Sequence, residues 1–268
     1  MNKSQLSKDL GVSRSSLYYK PKLPEKDFYL KDKILAVLES NPAYGYRRIA
    51  LALSLNKKRV HRVMQKYEIK SFKRKARWRK RRDERIPASK YLNLIRENIP
   101  SKPNQIYTGD FTYIKYFDKY IYLATYMDIF SREIVGWNIA TKHTKDLVIK
   151  ALVDGLINTE FKLPKIVHSD QGSEYRSQEY TSFVENLGMQ VSMSKKGSPW
   201  ENGYQESFYN NFKTELGLEF ERFETLGELV EGIHQTINYY NNERIHSKLK
   251  MPPTKFRKLY ETRSTLST

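Results

Sequence analysis

From residue 106 to residue 140 the chain reads as successive strands. The segment 106–117 (IYTGDFTYIKYF) is rich in aromatic and β-branched residues, and its period-two alternation places Thr108, Asp110 and Thr112 on one face. Asp110 is therefore a carboxylate in mid-strand. Residues 119–129 and 132–140 continue the strand-like pattern, with turns at Phe117-Asp118-Lys119 and Phe130-Ser131, so three antiparallel strands are expected. The period then lengthens to that of a helix: behind an N-cap at Thr144, Leu147, Val148, Ala151, Leu152 and Leu156 form one apolar stripe. Residues 165–168 read as a short buried strand. Asp170 follows its carboxyl end, where functional side chains collect in an open α/β sheet.

Further along, Ser198-Pro199-Trp200-Glu201 combines a capping-box pattern with proline at the first helical position, which predicts a helix from there to about residue 216. Asn202, Glu206 and Lys213 share a face of it, and seven residues carry Lys213 about 10 Å along the axis from Glu206. Gly197 and Ser198 suggest a mobile loop before this helix, a gate. Near the amino end, residues 27–68 show three short helical periods, 27–39, 47–53 and 56–67. In the third, Val60, Val63, Met64 and Tyr67 line one side and leave Lys58, Arg59, Arg62 and Lys66 available for phosphates and base edges. Residues 4–20 hold a smaller helix-turn-helix candidate, with Gly11 at the turn and a second helix capped at Ser13.

Candidate chemistry enters through three acids in distinctive surroundings: Gly-Asp110-Phe-Thr, His-Ser-Asp170-Gln-Gly-Ser-Glu-Tyr and Glu-Asn-Gly-Tyr-Gln-Glu206-Ser-Phe. Together they read as a two-metal phosphoryl-transfer site, in which carboxylates hold divalent ions against the charge that builds on attacking and leaving oxygens. Spacing alone does not decide this, because Asp32 and Glu68 also enclose 35 residues, as Asp170 and Glu206 do. The strand and helix contexts do, since Asp32 and Glu68 fall on surface positions of small helices with no third acid in a comparable setting.

Charge sharpens the picture. Residues 1–100 contain 27 Lys+Arg and 9 Asp+Glu, a net of +18, whereas residues 101–268 contain 21 of each. Such asymmetry is the footprint of a nucleic-acid-binding module attached to a nearly neutral domain, and too clustered for a merely solubilising face. Nine of the basic residues fall in 71–85 (SFKRKARWRKRRDER), among them Arg79, Lys80, Arg81 and Arg82. This run is expected to be irregular until it tracks a nucleic-acid backbone, and Trp78 either stacks on a base or covers a helix. Pro87, Pro100 and Pro103 extend the connector toward Asn104, with a short helix around 91–95. Cysteine is absent, which excludes disulfides and Cys-containing zinc sites, and neither a secretory segment nor an apolar run of 18 residues occurs, so an intracellular protein without a membrane partner is expected.

These motifs resemble the insertion-sequence transposases of the OrfB type, the second-frame products of the frameshifting insertion-sequence family, whose catalytic core is like that of retroviral integrases. Beyond the acids, the resemblance rests on Gly45-Tyr46-Arg47-Arg48-Ile49, Lys58-Arg59-Val60-His61-Arg62-Val63-Met64, Pro103-Asn104-Gln105, His168-Ser169-Asp170-Gln171-Gly172-Ser173, Lys213-Thr214-Glu215 and Tyr240-Asn241-Asn242-Glu243-Arg244-Ile245-His246. Tyr107 stands where the family usually has tryptophan, and Glu201-Asn202-Gly203 replaces its usual Asp-Asn-Ala.

The resemblance implies an α/β fold: an RNase H-like core with a mixed five-stranded sheet and flanking helices, preceded by all-α helix-turn-helix segments. It partitions the chain into a helical DNA-binding region (1–70), a basic linker (71–103), the core (104–220) and a C-terminal helical extension (221–268). It further implies Asp110, Asp170 and Glu206 as catalytic and metal-holding residues, Mg²⁺ or Mn²⁺ as cofactor, two ions in all, and DNA contact by Lys213. Water would free a 3′-OH at the element end, and that 3′-OH would attack a second phosphodiester. The implied partners are double-stranded DNA, further copies of the chain on DNA, and the first-frame product of the element. His168 reads as a hydrogen-bonding strand-end residue rather than a metal ligand. Arg244 and His246 either serve the family's chemistry or lock the last helix onto the core. The alternatives are a catalytically silent DNA-binding regulator and a nuclease without strand transfer.

Overall fold

A computed structural model of the chain describes residues 3–18, 23–73, 90–195, 202–217 and 223–265. The chain divides into two compact units, Met1–Phe72 and Lys73–Thr268. Arg79, Lys80, Arg81, Arg82 and Trp78, the predicted loop at Gly197 and Ser198, and the predicted cap at Ser198-Pro199-Trp200-Glu201 lie outside the described residues.

The first unit is helical. α1 (Lys3–Asp9) is followed by the Gly11 turn, at φ +63°, and then by a 3₁₀ stretch, Arg14–Tyr18, where an α-helix is expected. The Ser13 hydroxyl accepts the Ser16 N–H, as an N-cap does, and bonds the hydroxyls of Ser15 and Ser16. Three further helices, α2 (Leu23–Ser40), α3 (Tyr46–Ala52) and α4 (Lys57–Lys66), enclose Leu30, Ile34, Ile49, Val60, Val63 and Met64. Asn56 caps α4 by accepting the Lys58 N–H at 2.8 Å.

The basic face of α4 is only partly available. Asp27 on α2 is 1% exposed, and Arg62 grips both its oxygens at 2.7 and 2.6 Å while Lys66 Nζ lies 3.1 Å away. Hydrogen bonding from Arg62 holds the Asp27 carboxyl down at about 2. Arg62 and Lys66, which the sequence leaves free for DNA, are thus committed to a buried acid 35 and 39 residues away; Lys58 and Arg59 remain exposed. Arg62→Ala should destabilise this unit, because it takes one ion-pair partner from the buried Asp27, though by less than loss of a fully buried pair since Arg62 is itself 46% exposed. Thermal melts of the full chain with Arg59→Ala as control, expected neutral, check this. A carboxyl depressed in the fold contributes stability above its ordinary range, so this contribution is lost as pH falls from about 4 through about 2.

The second unit is built on a five-stranded mixed sheet in the order β3-β2-β1-β4-β5. β1 (Ile106–Tyr116), β2 (Lys119–Asp128) and β3 (Ile134–Ala140) pair antiparallel, and β4 (Ile166–Ser169) and β5 (Gln190–Met193) add in parallel. Alternation distributes side chains to two cores. Tyr107, Ala124, Tyr126 and Val167 pack with α5 (Lys145–Asn158) and with Tyr180 and Val184 of α7 (Gln178–Asn186). Ile114, Ile121, Leu123 and Met127 pack instead with Phe208 and Phe212 of α8 (Gly203–Glu215) and with Leu229, Ile233 and Ile237 of α9 (Leu226–Asn242). α5 and β3 touch backbone to backbone: a Cβ on Gly136 would stand 2.2 Å from the Gly155 nitrogen, so that position admits no side chain.

One segment differs from expectation. Much of the stretch read as a linker is docked from Lys90 onward: Leu94 and Ile95 pack on Ile106, Ile129 and Ile166, the Leu94 N–H donates to Ser192 Oγ, and the Met193 N–H donates to the Leu92 carbonyl. The C-terminal helices likewise belong to this unit. Asn241 pairs its amide with both the N–H and C=O of Ile134, Arg244 is 1% exposed and bonds Glu215, and Arg257 of α10 (Pro253–Thr265) bonds Asp128, Glu133 and Asn104. Arg244 is thus a lock between α9 and α8.

Candidate active site

β4 pairs with β1 only across Ile106, Tyr107 and Thr108. Beyond that point β1 runs on without a described parallel neighbour, and Asp110 sits two residues into this stretch. Asp170 leaves the carboxyl end of β4 on the adjoining strand. Each carboxylate has one oxygen fixed by its own chain: Asp110 Oδ1 accepts the Phe111 N–H at 2.8 Å and Asp170 Oδ1 accepts the Gly172 N–H at 2.9 Å.

The two acids sense each other. Burial, and then the charge of Asp170, raise the Asp110 carboxyl well above the ordinary aspartate value; Glu206 pushes it further up while Lys213 and the Phe111 N–H pull it down. Asp170 is raised chiefly by burial. Two buried carboxylates on adjoining strands, each raised in the fold, suit a divalent ion with oxygen ligands, whose charge would offset theirs. Glu206 is exposed on the first turn of α8, and among the described residues no three acids or histidines converge into a closed cage. The Asp110–Asp170 pair fits an ion, and Glu206 acts on the pair through its charge.

α8 is held to the sheet by a buried polar seam. Asn202, at its N-cap, accepts the Thr108 hydroxyl at 2.6 Å and donates to the Gly109 carbonyl. Gln205, fully buried, donates to the carbonyls of Thr108 and Thr125 and accepts the Thr125 hydroxyl. Tyr209 donates to the Asp110 carbonyl at 2.7 Å. These positions, spaced i, i+3 and i+7, fix the helix so that Glu206 projects beside the strand that carries Asp110. Gly109 is required opposite this seam, since a Cβ there would lie 2.6 Å from the Tyr126 ring. Lys213 lies 4.9 Å from the Tyr113 ring centre and near enough to Asp110 to lower it.

Asp110 thus feels the charges of Asp170, Glu206 and Lys213, the residues that the resemblance names with it. His168 is fully buried with Nδ1 2.9 Å from Ser192 Oγ, the structural role read for it. Gln205 and Tyr209 were not legible as site residues. Their only signal was the polar spacing from Asn202, which on a helix reads as a solvated face.

Comparison with known proteins gives this geometry its family. Two models described as integrase core domain match residues 100–199 and 187–253. The transposase for insertion sequence element IS904 of Lactococcus lactis is 36% identical over 229 residues, covering 82% of this chain and 89% of that protein. The chain belongs to the insertion-sequence transposases with an integrase core. The putative transposase InsK of IS150 from Escherichia coli is 28% identical across 94% of this transposase and 92% of its own length. In fold, the transposase resembles the HTLV-2 integrase catalytic core solved with magnesium (TM-score 0.50, 20% identity, 59% of this chain and 98% of that one). It also resembles a simian T-cell lymphotropic virus intasome chain (TM-score 0.54, 18% identity, 83% of this chain and 73% of that one). The core is RNase H-like, and an integrase core makes the chain an enzyme of the polynucleotidyl-transferase type. Among the described residues no helix is long and apolar enough to cross a membrane.

Proposed function

We propose that this transposase cuts DNA at the ends of an insertion sequence and joins the freed 3′-OH to a second site, with Asp110, Asp170 and Glu206 as the catalytic acids. The observation that carries the reading is the convergence of Asp110 and Asp170 at the end of β4, two like charges that raise the proton affinity of Asp110. Two divalent ions, Mg²⁺ or Mn²⁺, would supply Lewis-acid stabilisation of the attacking and leaving oxygens. The chain's own part is positional. Asp110 and Asp170 present carboxylate oxygens oriented by the Phe111 and Gly172 amides, and Tyr209 and Gln205 keep β1 and α8 in register so that Glu206 faces the same place. No nucleophilic side chain is needed, because the attacking group is first water and then the 3′-OH.

Double-stranded DNA would be held through the net +18 of residues 1–100. Within it we assign base reading to Lys58 and Arg59 of the α3–α4 pair and backbone tracking to Arg79, Lys80, Arg81 and Arg82; in the core, Lys213 would make a contact nearer the reacting phosphate. Further copies of the chain, and a first-frame product of the same element, are the protein partners this reading implies. A nuclease lacking strand transfer is separated by one experiment. A duplex with a pre-cleaved 3′-OH end, a supercoiled plasmid and Mg²⁺ should yield covalently joined products with the full-length protein. Nicked or linear plasmid without joined ends would contradict the proposal.

A further inference from the structure

One acid in the Asp170 motif has no place in this account. Glu174 opens α6 (Ser173–Arg176), four residues beyond Asp170, and is only 6% exposed. A buried carboxylate needs partners, and it has two. His143, in the loop between β3 and α5, places Nδ1 2.5 Å from Glu174 Oε1, and Ser173 Oγ donates to Oε2 at 2.9 Å. A carboxylate can only accept, so Nδ1 carries the hydrogen. The His143 ring is itself set by packing: it stacks on Phe111 at 6.0 Å with planes 8° apart, and stands 4.9 Å from the Tyr122 ring. Phe111 is the residue whose N–H fixes Asp110.

Glu174 also stands close to Asp170. A Cβ placed on Gly172 would meet Asp170 Oδ1 at 3.1 Å and Glu174 Oε2 at 3.2 Å, so one glycine separates the two carboxylates. After burial, the charge of Glu174 is what raises Asp170.

We propose that Glu174, clamped by His143, is a positioning residue for Asp170: it holds the turn at residues 171–173 and adds negative charge where Asp170 meets a divalent ion. This rests on the reading of Asp110 and Asp170 as ion-holding residues. Groups that orient metal ligands typically alter metal affinity or activity by about 10–100-fold when removed. Glu174→Gln keeps the shape and deletes the charge. His143→Phe keeps the ring over Phe111 and Tyr122 and deletes the N–H.

The test uses the full-length protein. Mn²⁺ binding without DNA is followed by the electron paramagnetic resonance of free Mn²⁺, alongside the Mn²⁺ concentration for half-maximal DNA cleavage and the thermal midpoint. Glu174→Gln should weaken Mn²⁺ binding about 10-fold and raise the half-maximal concentration by a similar factor, with saturating Mn²⁺ restoring most of the rate and the KM for DNA unchanged. His143→Phe should shift both in the same direction by less. If both variants bind Mn²⁺ as the wild type does, and differ only in thermal midpoint, Glu174 is a loop staple and the proposal falls. Asp170→Asn is the control that separates the two readings. Should it bind Mn²⁺ normally, the ion-holding assignment itself fails and takes this inference with it; should it alone lose binding, only the role of Glu174 is overturned.

Discussion

Asp110→Asn and Asp170→Asn should each reduce Mg²⁺- or Mn²⁺-dependent strand cleavage and joining by about 10³-fold or more while leaving DNA affinity nearly unchanged. Each substitution keeps the side-chain shape and the acceptor for its backbone amide but removes one charge from the pair that would hold the ions. Loss of several kcal/mol of charge stabilisation corresponds to a factor of that size. Glu206→Gln should act in the same direction. Asp32→Asn and Glu68→Gln are the matched controls, since both residues belong to the first unit, Asp32 against Lys31 and Glu68 in a left-handed turn at φ 54°. Gel-shift titrations and product analysis on the same preparations separate binding from chemistry. A variant of either aspartate with near wild-type joining would remove that residue from the site.

The second large effect is on salt dependence. Binding by the full chain should weaken steeply with ionic strength, with a log–log slope of about −0.9 for each phosphate neutralised. Neutralising Arg79, Lys80, Arg81 and Arg82 together should flatten the slope by up to about four phosphates' worth and weaken all sequences about equally, because backbone contacts position without specifying. Arg59→Ala should instead erode the preference among sequences, as expected of a side chain on a helix that enters the major groove. Arg62→Ala should mimic neither, since its guanidinium is held by Asp27; its effect on binding should track loss of folded protein. Full-length variants are the appropriate material. A cut at residue 100 would sever Leu92 and Leu94 from β5. A slope left unchanged in the full-length protein by neutralising all four residues would overturn this division of labour.

What the sequence made legible follows the reach of each interaction. Strand alternation and the α5 stripe are local periodicities, so β1, β2 and α5 appear within one or two residues of expectation, and Asp110 falls in mid-strand as read. Asp170 was placed by a strand end, which is also local. Most of the misses involve polar groups paired across long separations. Arg62 and Lys66 look like free cations until α2 brings Asp27 to them. Gln205 and Tyr209 look solvated until α8 lies on Thr108, Thr125 and the Asp110 carbonyl. The docked stretch at Leu94 looks like a connector because its anchors are few and its partner, Ser192, lies 98 residues on. Hydrophobic patterning announces which face is buried, but not which polar side chains are buried with it.

That Asp110 and Asp170 form a cation site is tested most directly by a calorimetric titration of Mn²⁺ into the full-length protein, from the ordinary aspartate pH range upward, in two buffers of different ionisation enthalpy. Because Asp110 is raised in the fold, the ion-free native state binds more protons than the unfolded chain above the ordinary aspartate range. Without an ion, stability therefore falls as pH rises through that window. A cation entering the pair should displace a proton, so the apparent enthalpy should depend on the buffer, and Asp110→Asn and Asp170→Asn should abolish both the binding and the proton release. Binding that is buffer-independent and unchanged in both variants would contradict the account.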